Sequence, residues 1–291
     1  MSSILAQLLL NGLIAGAIYA LVAAGFSLIC SVMKFMHFAH GGVVAAGAYF
    51  LFMFSQWFSP VPAILLALVT TVLFGVFMDW SVYKQLRKRH ASNAVLLIAS
   101  IGLMILTTNL ILIGFGADVK TIPLAQHNPV YTILGARITL IQVVIIATSA
   151  LLFGLLYYLM KCTRLGKALR AVADNNAIAQ TVGINPSRMY LATFILGSAL
   201  GGIAGMLIGL EQNLYPSMGL SLVIKGFTGA VIGGVTSVHG SILGALVLGM
   251  VENLGIWYLP SGYKDAIAFV LLFVFLLLKP EGILGKRFER G

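Results

Sequence analysis

The sequence predicts an all-α, polytopic membrane bundle of about eight to ten spans, and three observations carry that prediction. Of the 291 residues, 60% are hydrophobic and only 9% are charged, where a soluble domain needs about 25% charged residues to cover its surface. The mean hydropathy of +1.02 agrees. Second, the apolar residues fall in unbroken runs such as 63–77 and 267–278, which the alternating strands of a membrane β-barrel do not show. Third, positions 84–89, 161–188 and 279–290 hold 13 of the 18 Lys and Arg residues, the clustering expected of cytoplasmic loops. The net charge of +10 belongs to those loops. It does not indicate nucleic acid as a partner, because no soluble stretch is present to form a groove.

Crossing the hydrocarbon core takes about 20 helical residues. Taken in order, the candidate spans are 4–29, 43–58, 63–78, 94–115, 138–160, 189–210, 220–238, 241–259 and 266–278. A short polar break with Lys34, His37 and His40 separates the first two, and Pro60 and Pro62 open the third. The interval between the fourth and fifth is rich in turn formers, including Asp118, Pro123, Asn128 and Pro129. With all three basic clusters in the cytoplasm, two spans separate the first and second, and four separate the second and third. The C-terminus is then cytoplasmic and the N-terminus external. Residues 31–48 and 220–238 are glycine-rich, so re-entrant or broken helices are expected there. The chain reads as one transmembrane domain, 1–291, with a cytoplasmic loop at 161–188 inside it. No basic residue precedes the first run, so a cleaved signal peptide is not expected. Cys30 and Cys162 both fall on the cytoplasmic side, where neither a disulfide nor a metal site is expected.

Gly197, Gly201, Gly205 and Gly209 recur every four residues, as do Gly12, Gly16, Ala20 and Ala24. Small residues at that spacing line one helix face and let backbones approach within a membrane. They predict a close-packed bundle of many contacting helices.

The loop at 161–188 is too ordered for a linker. It carries Lys161, Arg164, Lys167, Arg170 and Arg188 against one acid, Asp174. Leu165, Leu169, Val172, Asn176, Ala179 and Val182 repeat at three and four residues, which puts a mild apolar stripe along one helix. Gly183 suits a left-handed helix terminus, and Asn185-Pro186 reads as an N-cap followed by proline at the first helical position. A short basic helix on which something docks is the expectation.

Candidate chemistry is sparse. Charges at membrane depth cost roughly 2.5–3.5 kcal/mol each on insertion scales. Glu252 is the clear acid inside a span, Lys225 lies near the start of another, and Asp79 sits at a span's cytoplasmic end. Two readings of Glu252 stand side by side, a proton or cation site and a satisfied structural carboxylate near a helix end. His37 and His40 are close enough to share a helix face, yet no Cys, Asp or Glu lies near them to complete a metal site. His40-Gly41-Gly42 and His239-Gly240 read as tight turns feeding helices. The sequence contains no P-loop, and no G-x-S-x-G or H-E-x-x-H motif. The chain is expected not to be an enzyme.

Several stretches together resemble the permease subunits of branched-chain amino acid ABC importers, in particular the shorter, H-type partner. The segment from Gly166 through Arg170 and Asp174 to Gly183 resembles that family's cytoplasmic coupling loop. His37-Phe38-Ala39-His40-Gly41 resembles an Asn-Phe-Ala-His-Gly motif, with His in place of the first Asn. The stretch from Leu222 through Lys225 and Gly226 to His239-Gly240 resembles a glycine-rich segment found late in the family, and the run Lys279-Pro280-Glu281-Gly282-Ile283-Leu284-Gly285 its Arg/Lys-Pro-x-Gly-Leu-x-Gly tail. The resemblance implies a multi-pass subunit of the bacterial inner membrane that translocates substrate delivered by a periplasmic binding protein. It also implies a second related permease and two cytoplasmic ATPases, so that ATP is hydrolysed by partners and this chain needs no cofactor. Gly166, Leu169, Arg170, Val172, Asp174 and Gly183 are then the ATPase-coupling residues, and His37, His40 and Glu252 candidates for the translocation path. Alternatives from the residues alone are a urea or short-amide importer permease, an ion-coupled secondary transporter centred on Glu252, and a membrane assembly or channel-like protein.

Overall fold

Two short, glycine-rich helices set the architecture. The computed structural model describes residues 2–125, 129–133 and 135–285. Asn128 of the turn-rich interval and Lys286, Arg287 and Arg290 of the basic tail lie outside the described residues. The chain runs α1 (Ser2–Met33), α2 (His40–Ser55), α3 (Pro60–Met78), a π-helical turn (Asp79–Tyr83), α4 (Lys84–Lys88) and α5 (Asn93–Phe115). A hairpin of β1 (Val130–Ile133) and β2 (Ala136–Thr139) follows, then α6 (Leu140–Cys162), α7 (Arg164–Asp174), α8 (Asn176–Thr181) and α9 (Pro186–Glu211). α10 (Met218–Gly233), α11 (Val238–Gly255) and α12 (Lys264–Leu278) complete it. Each apolar run of the sequence is one helix, and the bundle is all-α apart from the hairpin. That hairpin interrupts the predicted turn-rich loop, pairing Val130 with Thr139 and Ile133 with Ala136.

Among the described residues, seven helical stretches are long and apolar enough to cross a membrane, with α3, the π turn and α4 forming one of them. α2 and α10 are shorter, at 16 residues each. At 1.5 Å per residue each is about 24 Å long, less than the roughly 30 Å of a hydrocarbon core. They are the two glycine-rich segments for which broken helices are expected. Their first turns meet: a side chain on Gly41 would collide with the Gly219 carbonyl and with Val223, and one on Gly219 with the Gly41 carbonyl.

α1 is the central helix. From Ala20 to Ala24 every residue is fully buried, and Phe26 to Ile29 continue the same way. The predicted small-residue faces are the packing faces. Gly12 and Gly16 lie against Met250 and Leu246 of α11, while Gly201 and Gly205 lie against His40 and the Val44 carbonyl of α2. α3, α5, α6 and α12 instead carry exposed apolar side chains along their outer faces, Leu73, Ile105, Leu151 and Phe273 among them, as helices facing lipid or another subunit must.

The chain's last described turn has a structural role. The backbone amides of Ile283 and Leu284 donate to the carbonyls of Ile232 and Gly233 at 2.8 and 2.9 Å. These are carbonyls that the end of α10 leaves open. The run around Gly282 therefore caps α10.

Candidate functional site

The loop at 161–188 folds as two helices. Thr163 caps α7 by accepting from the Gly166 amide at 3.1 Å, and Gly166 lies directly against the backbone of Leu159 and Met160 at the end of α6. The helix then folds back under the bundle, and Leu169 and Val172 are buried at 0% and 1% exposure. Arg170, Asp174 and Gly183 are exposed. The predicted single helix ends at Asp174. Asn175 is extended (φ −151, ψ 109), and its side chain accepts from the amides of Ala177 and Ile178 at 2.9 and 3.1 Å, opening α8. Asparagine offers the backbone this local alternative to continuing a helix. The break divides the predicted stripe: Ala179 stays buried, whereas Asn176 and Val182 turn outwards. Ile178 and Val182 are 62% and 70% exposed and follow the exposed Arg170 and Asp174 in sequence order. Gly183 ends this segment at φ +83. Asn185 caps α9 through the amides of Ser187 and Arg188, with Pro186 at its first position, as the sequence leads one to expect.

The exposed loop is tied inward through side chains that sequence reasoning missed. Asn176 of α8 donates to the Tyr190 hydroxyl of α9 at 3.0 Å. The Arg87 guanidinium lies 5.0 Å above the Tyr190 ring and pairs with Asp79 at 2.7 Å. Within the same π turn, Tyr83 stacks on Phe194 and its hydroxyl meets His37 Nδ1 at 2.9 Å. In the sequence, Arg87 is one more member of a basic cluster and Tyr190 one more aromatic at a span end. No local signal links them. These contacts bring the 84–89 and 161–188 clusters to one end of the bundle, in keeping with a shared cytoplasmic side.

His37 and His40 hold the entry into α2. Lys34, at φ +61, breaks the chain after α1. Residues 34–39 then run without regular structure, with Lys34 and Met36 exposed and Phe35, His37 and Ala39 buried, and buried irregular backbone is tolerated only if its polar groups find partners. The Ala39 amide donates to Ser100 Oγ at 3.2 Å, and Phe38 packs on Phe26 and Phe227. His40 fills a niche between Gly25 and Gly201. The two imidazoles lie 6.1 Å apart, and neither ring reaches the surface. Both residues shape the start of α2.

Glu252 lies on α11, three residues before its end at Gly255, and is wholly buried. One carboxylate oxygen accepts from Tyr19 at 3.0 Å and pairs with Lys225 of α10 at 3.2 Å, while the other has no hydrogen-bond partner among the described residues. Lys225 also reaches the Tyr19 hydroxyl at 3.1 Å and Asp265 of α12 at 3.0 Å. Lys264 donates to Asn253 at 3.1 Å. The isolated acid of the sequence is therefore one member of an ion network that joins α1, α10, α11 and α12. The spacing of Glu252 and Lys225 gave no hint of their pairing, because it arises only where three helices converge.

Against known proteins, the family model described as the branched-chain amino acid transport system permease component matches residues 8–276. The chain belongs to this family. It is thus a multi-pass transport permease of the ABC importer class, and such permeases work with ATPase and binding-protein partners. The high-affinity branched-chain amino acid transport system permease protein BraD of Pseudomonas aeruginosa is 34% identical over 96% of this chain and 95% of its own length. LivH of Escherichia coli is 31% identical over the same shares. Among solved structures, PsaBC from Streptococcus pneumoniae in complex with Fab is similar at a TM-score of 0.46 and 13% identity, over 96% of this chain and 91% of that one.

Proposed function

We propose that this permease, a single transmembrane domain in a bacterial inner membrane, translocates branched-chain amino acids handed over by a periplasmic binding protein. Transport is driven by two cytoplasmic ATPase subunits that dock on the loop at 161–188, and a second related permease completes the pathway. The C-terminus is cytoplasmic. ATP is hydrolysed by the partners, so this chain contributes helix movement and no reaction or cofactor of its own. The observation that carries the reading is the division of labour in the loop. Leu169 and Val172 root α7 in the permease body, while Arg170, Asp174, Ile178 and Val182 are left outside it. A segment anchored on one face and bare on the other transmits motion from whatever grips the bare face. The side-chain series from Asn176 through Tyr190 and Arg87 to Asp79 supplies a stiff route from that face towards α3.

The test uses the assembled importer in proteoliposomes. Ile178→Asp with Val182→Asp is expected to release the ATPase subunits, or to leave ATP hydrolysis unaffected by liganded binding protein, while the permease stays folded. Unchanged association and unchanged stimulated hydrolysis would show that the loop is not the docking face. The urea and short-amide alternative is separated by substrate: wild-type importer accumulates leucine and not urea.

A further inference from the structure

Two small cavities share one charged wall. The first, about 300 Å³, is lined mainly by polar groups, among them Tyr19, Tyr215, Ser221, Lys225, Lys264 and Asp265. The second, about 260 Å³, shares Tyr215, Ser221, Lys225 and Asp265 with it but continues between Leu220, Ile224, Ala268 and Phe269. Each is at the small end for a ligand site, of a size for an amino acid rather than an oligomer. The wall between them is the Lys225–Asp265 pair, at 3.0 Å.

We propose that this pair is a transit site for an aliphatic α-amino acid, its carboxylate on Lys225, its ammonium on Asp265, and its side chain among Leu220, Ile224, Ala268 and Phe269. The inference deepens the amino-acid reading above and rests on it. Its geometry follows from unequal burial. Lys225 and Glu252 have side chains 12% and 0% exposed and form a fixed pair, whereas the Asp265 side chain is 65% exposed. Asp265 is therefore the partner that Lys225 exchanges readily. An arriving carboxylate takes its place on Lys225, and the freed Asp265 receives the ammonium. A zwitterion adds no net charge, so the network of Lys225, Lys264, Glu252 and Asp265 keeps its balance around the wholly buried Glu252, where an unbalanced charge is costly. The first turn of α10 from Met218 to Ser221 also borders the site, and the positive end of a helix favours the carboxylate end of the ligand. Residues from four separated parts of the chain, Tyr19, Tyr215, Lys225 and Asp265, converge here, so no sequence motif announces it.

The experiment measures uptake by the complete importer in proteoliposomes together with binding-protein-stimulated ATP hydrolysis. Asp265→Asn, on a largely exposed side chain, is expected to lower leucine uptake by at least about tenfold, the loss of one charge-assisted hydrogen bond, with stimulated hydrolysis retained. Leu220→Trp, which narrows the apolar cavity, is expected to shift the leucine-to-alanine uptake ratio by about tenfold towards alanine. It tests the site even if Asp265→Asn fails to assemble. Wild-type uptake by Asp265→Asn, or an unchanged ratio in Leu220→Trp, overturns the transit site and leaves amino-acid transport standing. Absence of any amino-acid uptake by the wild-type importer instead removes the functional reading on which the site rests.

Discussion

Replacing Lys225 by methionine tests the buried ion network directly. Glu252 is fully buried, and its carboxylate has two partners, Tyr19 and Lys225, both on the same oxygen. Removing the lysine leaves a buried carboxylate with one neutral donor. Breaking a buried pair from one side costs about 3–5 kcal/mol, because the stranded charge keeps its desolvation penalty without compensation. For a chain of this size such a loss lowers the melting temperature by on the order of 10 °C. The double replacement Lys225→Met with Glu252→Leu removes both charges. It is expected to recover most of the loss, since a buried pair exchanged for apolar residues of similar volume is often neutral. Thermal unfolding of the purified permease in detergent, followed by tryptophan fluorescence, reads both variants. With Glu252→Leu alone as the third variant, the non-additivity of the cycle isolates the pair. If Lys225→Met melts with the wild type, or if the double variant melts no higher than the single one, Glu252 is not held by Lys225 as described.

Asn175→Ala removes the side chain that opens α8 and is expected to cost about 1 kcal/mol. It should loosen residues 176–182 selectively, read as faster amide hydrogen exchange there with α7 unchanged. Gly205→Ala and Gly102→Ala set helix propensity against packing. Alanine is favoured over glycine by about 1 kcal/mol in a helix, and nothing lies within 4 Å of a side chain at Gly102. A methyl group at Gly205 would instead meet the Val44 carbonyl. Thermal unfolding should show Gly205→Ala destabilised and Gly102→Ala equal to the wild type or above it.

What was legible in the sequence is what local chemistry determines. Membrane spans follow from runs of apolar residues, and each run became a helix. The caps at Thr163, Asn175 and Asn185 are made by side chains bonding to amides two or three residues away. Of these, Asn185 is readable because Pro186 follows it, while Asn175 sits inside a pattern of helical spacing that hides the break. The apolar stripe correctly marks Leu169 and Val172 as facing something apolar. The spacing carries no information on whether that surface belongs to a partner or to the permease itself. The same limit applies to Glu252. A carboxylate in an apolar run signals that a partner exists, but Lys225 and Tyr19 are brought to it by the crossing of α1, α10 and α11.

The two short helices α2 and α10 connect these centres. His40 begins α2 and Met218 begins α10, and the collision of Gly41 with Gly219 requires their first turns to be in backbone contact. Helix ends meeting inside a bundle leave amides that need partners, and irregular chain there must be enclosed by protein. On the α2 side the amides of His40 and Gly41 donate to the carbonyls of His37 and Phe38, and that of Ala39 to Ser100 Oγ. On the α10 side, Lys225 lies two turns in from Met218, so its ion network is anchored to a helix whose first turn presses on α2. Movement that reaches α2 through Tyr83 and His37 therefore meets, across the Gly41–Gly219 contact, the helix that carries Lys225. If, as proposed, energy enters at 161–188, that contact is one structural connection between the exposed loop and the charged cavity, beside the direct packing of α7 on α1, the helix that carries Tyr19.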